Sequence, residues 1–554
     1  MATASLEQRY RGRSLWLDHA PGPLSPRPSL SGDAQFDVAV VGAGFTGLWT
    51  AYYVKRDRPD ARVAVVEREI AGFGPSGRNG GWVSARIAGS PSVYAERHGP
   101  EAVRRAERET FSTVDEIGRV AREERIDCGF EKAGTVALAM TAPQVSRARS
   151  EIDAARRIGL GEDDVRVLEA SELEQLVRVP GCRLALYSPH SARIDPARLA
   201  RGLAEACERA GVVIFERTEA LQVVPGRVRC RQGTLTADHV LRATESYTTE
   251  LAGEKRRYLP LYSLMIATEP LSEATWRELG WRDGLTIRDK HHVFFYAQRT
   301  TDGRIAIGGR GAPYHLDKPI DEARERNAGV YERLQATIRR HFPAAGDAAV
   351  THHWGGPLAV PRDWCMSVHY ERSTGFGWAG GYSGHGLVAS NISGRTLADL
   401  VLGHDSDLVT LPWVGHRARP WEPEPLRYLA SQAIVNVLAH GAAVRVWPGD
   451  DEGDHPFQGR LAALPGSVAD PRRPGRGVPV GRSQGRHRHR AQPPDRPDHG
   501  LPRRRLPGFP AVQLGDQDVR QLALGLRRHG RRADGRTVVR HGQLLGRGLQ
   551  LQAG

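Results

Sequence analysis

Short apolar runs alternate with longer amphipathic ones from residue 37 onward, and this pattern is the first guide to the fold. Residues 37–41 (DVAVV) and 62–67 (RVAVVE) are brief and β-branched. They flank a longer helical run that starts after three glycines, in VAVVGAGFTGLWTAYYV (residues 38–54). Strand, helix and strand in that order predict a βαβ unit. Residues 94–160, rich in Glu, Arg and Ala, read mostly as helix. Residues 196–210 (PARLARGLAEACERA) open with a proline suited to a first helical turn and repeat apolar residues at helical spacing. GVVIFERTEALQVV and ADHVLRATESY return to strand character. From about 258 to 310, YSLMIATE, HHVFFYAQ and RIAIGG predict an antiparallel sheet. Residues 376–400 revert to strand, glycine turn and helix.

This order predicts an α/β protein, α+β overall, whose nucleotide-binding part is discontinuous. That part is expected over 36–95, 190–250 and 370–435, with a helical and antiparallel-sheet domain inserted over 96–189 and 251–369. A chain of 554 residues is too long for one core, which agrees. Residues 1–35 are polar and proline-rich, and read as an extended N-terminal arm or a disordered leader. After about Asn436 the apolar periodicity fades, and Pro, Gly, Arg and His take over through 440–554. Such a segment buries too little apolar surface to offset its ordering entropy, so a disordered tail is expected.

The charge of +14 comes largely from this tail, which contains no lysine, the last being Lys318. Out-of-frame reading of a GC-rich gene would explain that composition. Runs such as 486–490 (RHRHR) and 503–505 (RRR) offer phosphate contacts, the basis of an alternative reading as a nucleic-acid-binding protein. No aromatic residues interleave them, so nucleic acid is not the expected partner. The five cysteines form no C-x-x-C pair, which points away from a zinc site and toward a reducing, cytoplasmic compartment. No run is long and apolar enough to span a bilayer, and no metal is expected.

Each glycine of the first loop has a physical task. Gly42 permits the turn out of the strand, Gly44 leaves room for a pyrophosphate, and Gly47 lets the helix approach the sheet. The helix then presents free N–H groups to the phosphates. Glu67, about 20 residues on, ends the second strand where a ribose would sit. The competing reading is a glycine-rich turn in an unrelated α/β fold. A second loop follows at once, in EREIAGFGPSGRNGGWVSA, open enough to wrap a bulkier cofactor. A nicotinamide-dependent dehydrogenase, the rival enzyme class, needs no such loop.

With VVERE, GFGPSGRNGGW, DHVLRATESY and GGYSGHGLVASNISGRTLADLVLG in this order over about residues 10–435, the chain resembles the FAD-dependent oxidoreductases of the D-amino acid oxidase and sarcosine oxidase superfamily. It is most similar to the branch that includes gamma-glutamylputrescine oxidoreductase. The resemblance implies a Rossmann-like FAD-binding domain with an inserted substrate domain. It implies that Gly42, Ala43, Gly44, Phe45, Thr46 and Gly47 hold the FAD pyrophosphate, and that Glu67 and Arg68 meet the adenosine. Ser76, Gly77, Arg78, Asn79 and Gly80 would line flavin and pyrophosphate, Ala220 and Leu221 the adenine side. Ala243 and Thr244 would close over the cofactor, with Gly384, His385, Gly386 and Leu387 beside the isoalloxazine. A helix N-terminus there suits the negative charge of the reduced ring, and His385 either adds to it or satisfies a turn.

The reaction implied is oxidation of a C–N bond in a small amine or amino acid, by hydride transfer to flavin N5, giving an imine that hydrolyses. In the strand HHVFFYAQ, Phe294, Tyr296 and Gln298 share one face and Phe295 takes the other. Tyr296 and Gln298 are therefore candidates for the substrate face, with Tyr296 and His385 as candidate catalytic residues; a buried aromatic strand is the plainer reading. Sarcosine oxidases carry an oxygen-activating lysine where this sequence has Ala306, so the electron acceptor is oxygen or another molecule. Some relatives bind FAD through a cysteine. Cys365 is spaced too close to Gly384 for that, which points to non-covalent FAD and a buried thiol. No single arginine is assignable to a substrate carboxylate.

Overall fold

The structure, a computed structural model, describes residues 5–432 apart from 292–293, 313, 315, 317–319 and 430. The expectations for the tail after 440 lie outside the described residues. Two eight-stranded sheets organise the rest.

The first sheet runs in the order Ser367–Glu371, Phe376–Gly380, Thr234–Arg242, Ala34–Val41, Val63–Val66 and Val213–Phe215. Its four central pairings, from Phe376–Gly380 to Val213–Phe215, are parallel. The hairpin Ala220–Val224 and Arg227–Cys230 extends it from Thr234–Arg242. Val63–Val66 is buried throughout, as a central parallel strand covered on both faces must be. The register sets Val41 opposite both Val66 and Arg242, so three strands end side by side. Whatever follows them in sequence is gathered at one edge.

The helices Phe45–Asp57 and Gly386–Leu402 cover one face. They approach closely because Gly394 lies under Trp49, where an added Cβ would stand 2.5 Å from the Trp49 Cβ. The helix Pro100–Glu123, expected with the inserted domain, instead buries Val103, Ala106, Val114 and Ile117 in this first core. Its apolar residues recur at helical spacing, but spacing does not say which sheet they face.

The second sheet runs Val350–Val360, Leu259–Thr268, Ile305–Ala312, Phe295–Arg299, Thr286–Asp289, Thr135–Ala139, Leu184–Ser188 and Arg166–Leu168. Most of its pairings are antiparallel, but Thr286–Asp289 and Thr135–Ala139 are parallel. The strand Thr135–Ala139 interrupts the stretch expected to be mostly helical. Its run TVALA is too short for periodicity to tell a strand from a buried helical turn. One sheet face packs on the helix Ala328–His341 with Phe342 and Trp281. The opposite face carries Met265, Ala267 and Ala306.

The N-terminal arm covers that opposite face and is not extended. Ser5 and Gln8 form a reciprocal capping box on the helix Leu6–Arg11, and the Ser14 hydroxyl caps Leu15–Asp18. Tyr10, Trp16, Leu17 and Leu24 are buried. These caps are local signals that the surrounding prolines obscure. Among the described residues no helix is long and apolar enough to cross a membrane.

Candidate active site

One long cleft opens at the shared carboxyl edge of the parallel strands. Gly42 turns out of its strand at φ 106°, and a Cβ there would stand 2.7 Å from the Ala243 carbonyl oxygen. Gly44 precedes the helix Phe45–Asp57 and offers no side-chain cap. The Phe45 N–H donates to the Ser76 hydroxyl at 2.9 Å, which ties the two glycine loops together. The amides of Thr46 and Gly47 lie in the first turn, where no intrahelical acceptor exists. Gly47 stands behind the wall. A Cβ on it would come within 1.9 Å of the Gly42 carbonyl oxygen, so its task is close packing. Ala43 and Gly77 are also absent from the cleft wall; Ala43 is fully buried.

The Ala43 N–H donates to one oxygen of Glu67 at 2.9 Å and the Glu69 N–H to the other at 3.0 Å. Burial outweighs these donors and holds the Glu67 carboxyl above its usual range. Arg68 borders the cleft, with its guanidinium on Glu250 at 2.7 Å and over the Tyr247 ring. Ala220, Leu221, Ala243 and Thr244 line the same cleft.

In the second loop Arg78 is turned inward. Its backbone borders the cleft, but its side chain is fully buried and pairs with Glu325 at 2.6 Å and the Gly355 carbonyl at 3.0 Å. The charge is thus committed within the protein and is not offered to a phosphate. Asn79 holds the loop from inside, donating to the Ser76 carbonyl at 2.7 Å and accepting from Gly81 N–H at 2.8 Å.

The third approach comes from the last glycine turn. Gly384, His385, Gly386 and Leu387 all line the cleft at the start of the helix Gly386–Leu402. The turn is held by a residue that nothing in the sequence singles out. Glu245, at φ 42°, accepts from Tyr382 N–H at 3.0 Å and Gly381 N–H at 3.4 Å. Its burial pushes the carboxyl up to about 7. Tyr382 in turn is hydrogen-bonded to the Thr46 hydroxyl at 2.7 Å, joining the last turn to the first helix.

The far end of the cleft is aromatic. Tyr296 stacks on Trp82 with ring centroids 6.2 Å apart, and its hydroxyl is hydrogen-bonded to Ser263 at 2.9 Å. The Tyr296 ring sits between two glycines, for a Cβ on Gly80 or Gly308 would stand 2.4 Å from it. Phe294 and Met265 complete this end, while Phe295 points into the opposite core as the alternation predicts. Gln298 shares the Tyr296 face but does not reach the cleft. The second loop covers it, and its amide donates to the Gly80 carbonyl at 2.6 Å. Trp82 and Met265 escape sequence reasoning because nothing local marks them; Trp82 is visible only as the aromatic that closes the loop GRNGGW.

Ala306 is fully buried in an apolar layer with Trp16 and Ala267. Cys365 is buried away from the cleft wall, accepts from Ser90 N–H at 3.5 Å, and has its thiol pushed up to about 12 by burial. Beside it His416 is held between Asp363 at 2.8 Å and Arg97 at 2.9 Å.

Parallel strands that end together on a glycine turn, with a carboxylate one strand over, make this a dinucleotide-binding α/β protein. Residues 37–400 match the model of the DAO family, FAD dependent oxidoreductase, and the chain belongs to that family. It is similar to gamma-glutamylputrescine oxidoreductase of Escherichia coli (strain K12), at 27% identity over 386 residues, covering 68% of this chain and 86% of that protein. A probable oxidoreductase, OrdL, of Haemophilus influenzae is 26% identical over 395 residues, covering 69% and 86%. The solved glycine oxidase of Geobacillus kaustophilus shares the fold, with a TM-score of 0.58 at 22% identity over 70% of this chain and 99% of that one. FAD is therefore the cofactor, and the residues fit it. A Cβ at Gly44 would stand 2.9 Å from the Ser76 hydroxyl, in the space between the loops, free helix amides stand beside it, and Glu67 lines the same cleft with two carboxylate oxygens that can accept from a ribose hydroxyl. This assignment displaces the nicotinamide reading.

Proposed function

We propose that this enzyme oxidises the carbon–nitrogen bond of a small amine or amino acid. The observation that carries the reading is the aromatic end of the cleft, where Trp82, Phe294 and Tyr296 share one cavity with the amino end of the helix Gly386–Leu402. FAD, when bound, would supply the two-electron acceptor for the hydride that leaves the carbon beside the amine, and the imine formed would hydrolyse. The aromatic slot desolvates the amine and favours its neutral, reactive form. Tyr296, fixed by Ser263 and two glycines, sets the slot's shape. The helix end with His385 holds negative charge that develops near it. Gly42, Gly44, Phe45 and Thr46 take the pyrophosphate, Glu67 the ribose, and Ala220 and Leu221 the adenine side. Relatives named for gamma-glutamylputrescine and glycine support an amine substrate.

In the same reading FAD is non-covalent, because Cys365 lies off the cleft. The first sheet's segments form the FAD-binding part and the second sheet's the substrate part. Five free cysteines support a cytoplasmic location. The test is anaerobic bleaching of the flavin band by a panel of amines and amino acids. Bleaching by an amine is expected; bleaching by hydroxy acids or alcohols alone would overturn the proposal. Reoxidation by air against a quinone dye then assigns the acceptor.

A further inference from the structure

Three consecutive carbonyls of the second loop each accept from a buried side-chain N–H, and the donors come from three separate parts of the chain. Trp354 Nε1 donates to the Arg78 carbonyl at 2.8 Å, Trp16 Nε1 to Asn79 at 2.8 Å, and Gln298 Nε2 to Gly80 at 2.6 Å. None of the three donors lines the cleft, whereas Arg78, Asn79 and Gly80 do. The carbonyls therefore point out of the cleft. These peptides are trans, since the one cis bond among the described residues is Glu424–Pro425. In a trans peptide the N–H lies opposite the C=O. The amides that follow the first two carbonyls, those of Asn79 and Gly80, thus point into the cleft. Among the described residues neither N–H has a protein acceptor.

Holding this pose takes the N-terminal arm. The Trp16 and Trp354 rings meet edge to face at 6.1 Å, and both are almost wholly buried. The arm is anchored to both sides of the cleft. Tyr10 donates to Glu69 at 3.1 Å beyond the first sheet, and Arg13 pairs with Glu322 at 2.7 Å near the second. Trp16 follows these anchors, in the helix Leu15–Asp18.

We propose that Trp16 and Trp354 are positioning residues for the flavin. By holding two carbonyls they fix the Asn79 and Gly80 amides as paired donors toward an acceptor edge of the bound ring, which makes the N-terminal arm a working part of the cofactor site. The inference rests on the second loop lying at the flavin end of the cleft, as in the reading above.

The test uses the full chain with Trp16→Phe and Trp354→Phe, which keep a packed ring and remove the N–H. Trp281→Phe is the control: its indole donates to the Leu285 carbonyl at 2.9 Å, equally buried but in the second sheet's own core. Three quantities are read, none requiring an amine substrate: FAD dissociation from the reconstituted protein, the midpoint potential of the bound flavin, and amide exchange over residues 74–81 in the apo chain. Both loop variants are expected to weaken FAD by about two- to tenfold, the effect of one hydrogen bond. They should also lower the potential and speed exchange, while Trp281→Phe leaves all three unchanged. If the loop variants change only thermal stability, as the control does, the proposal falls. Should Trp16→Phe fail to fold, Trp354→Phe decides the same question from the adjoining carbonyl. Since failure to oxidise amines leaves these readouts intact, the two proposals fail separately.

Discussion

The two glycine loops border one cleft and are held in place by opposite means. The first is self-sufficient. Its turn, the start of its helix and the glycine that seats that helix lie within residues 42–47, and its chemistry comes from what side chains leave open. The second is open by composition but is held from outside, by Trp16, Trp354, Gln298 and the Arg78–Glu325 pair. A backbone with several glycines gains freedom in the unfolded state, and something must fix it in the folded one. In the first loop the helix does so; in the second, remote side chains do.

The sharpest way to break this contrast is Gly47→Val. Its Cβ would fall 1.9 Å from a backbone oxygen that cannot yield. We expect a loss of about 3 kcal/mol or more and of bound FAD, read by thermal melting and flavin content. Next is Glu325→Ala, far from the first loop, which strands the Arg78 charge in the interior. A loss of roughly 3 kcal/mol in urea unfolding is expected, with the double variant Arg78→Met/Glu325→Leu losing less. A neutral Glu325→Ala would mean that the second loop is as self-sufficient as the first.

The smallest effect concerns the third approach to the cleft, at Glu245. Its folded carboxyl titrates at about 7, above the ordinary 4.5, because the neutral form is favoured by burial. The folded state therefore holds the proton more tightly. Stability from this group is intact below about pH 4.5 and declines as pH rises toward 7. Relative to wild type, Glu245→Gln should accordingly be about 2.5 kcal/mol more stable at pH 8 than at pH 5, measured by denaturant unfolding. An equal effect at both pH values would remove the carboxyl from any titrating role.

The contrast also explains what the sequence discloses. The βαβ unit, Glu67 and the final glycine turn are legible because each is written in adjacent residues: an apolar run, a turn that needs glycine, a helix start. The alternation that sets Phe295 apart from Phe294 and Tyr296 is equally local and holds. The inward turn of the Arg78 side chain is not legible, because its partner Glu325 belongs to a distant segment. Gln298 misleads because alternation fixes the face of a strand and not what covers its far end. The arm is illegible for both reasons: its caps are weak signals among prolines, and its purpose is visible only once Asn79 stands behind Trp16.

The crowding of indoles around the second loop has an optical consequence. Of the eleven tryptophans in the chain, Trp16 and Trp354 touch the loop through their ring nitrogens, and Trp82 closes it. Flavin absorbs where tryptophan emits, so a bound cofactor drains the fluorescence of rings that lie against it. The untouched protein thus carries its own gauge of cofactor loading, and the arm supplies one of the lamps.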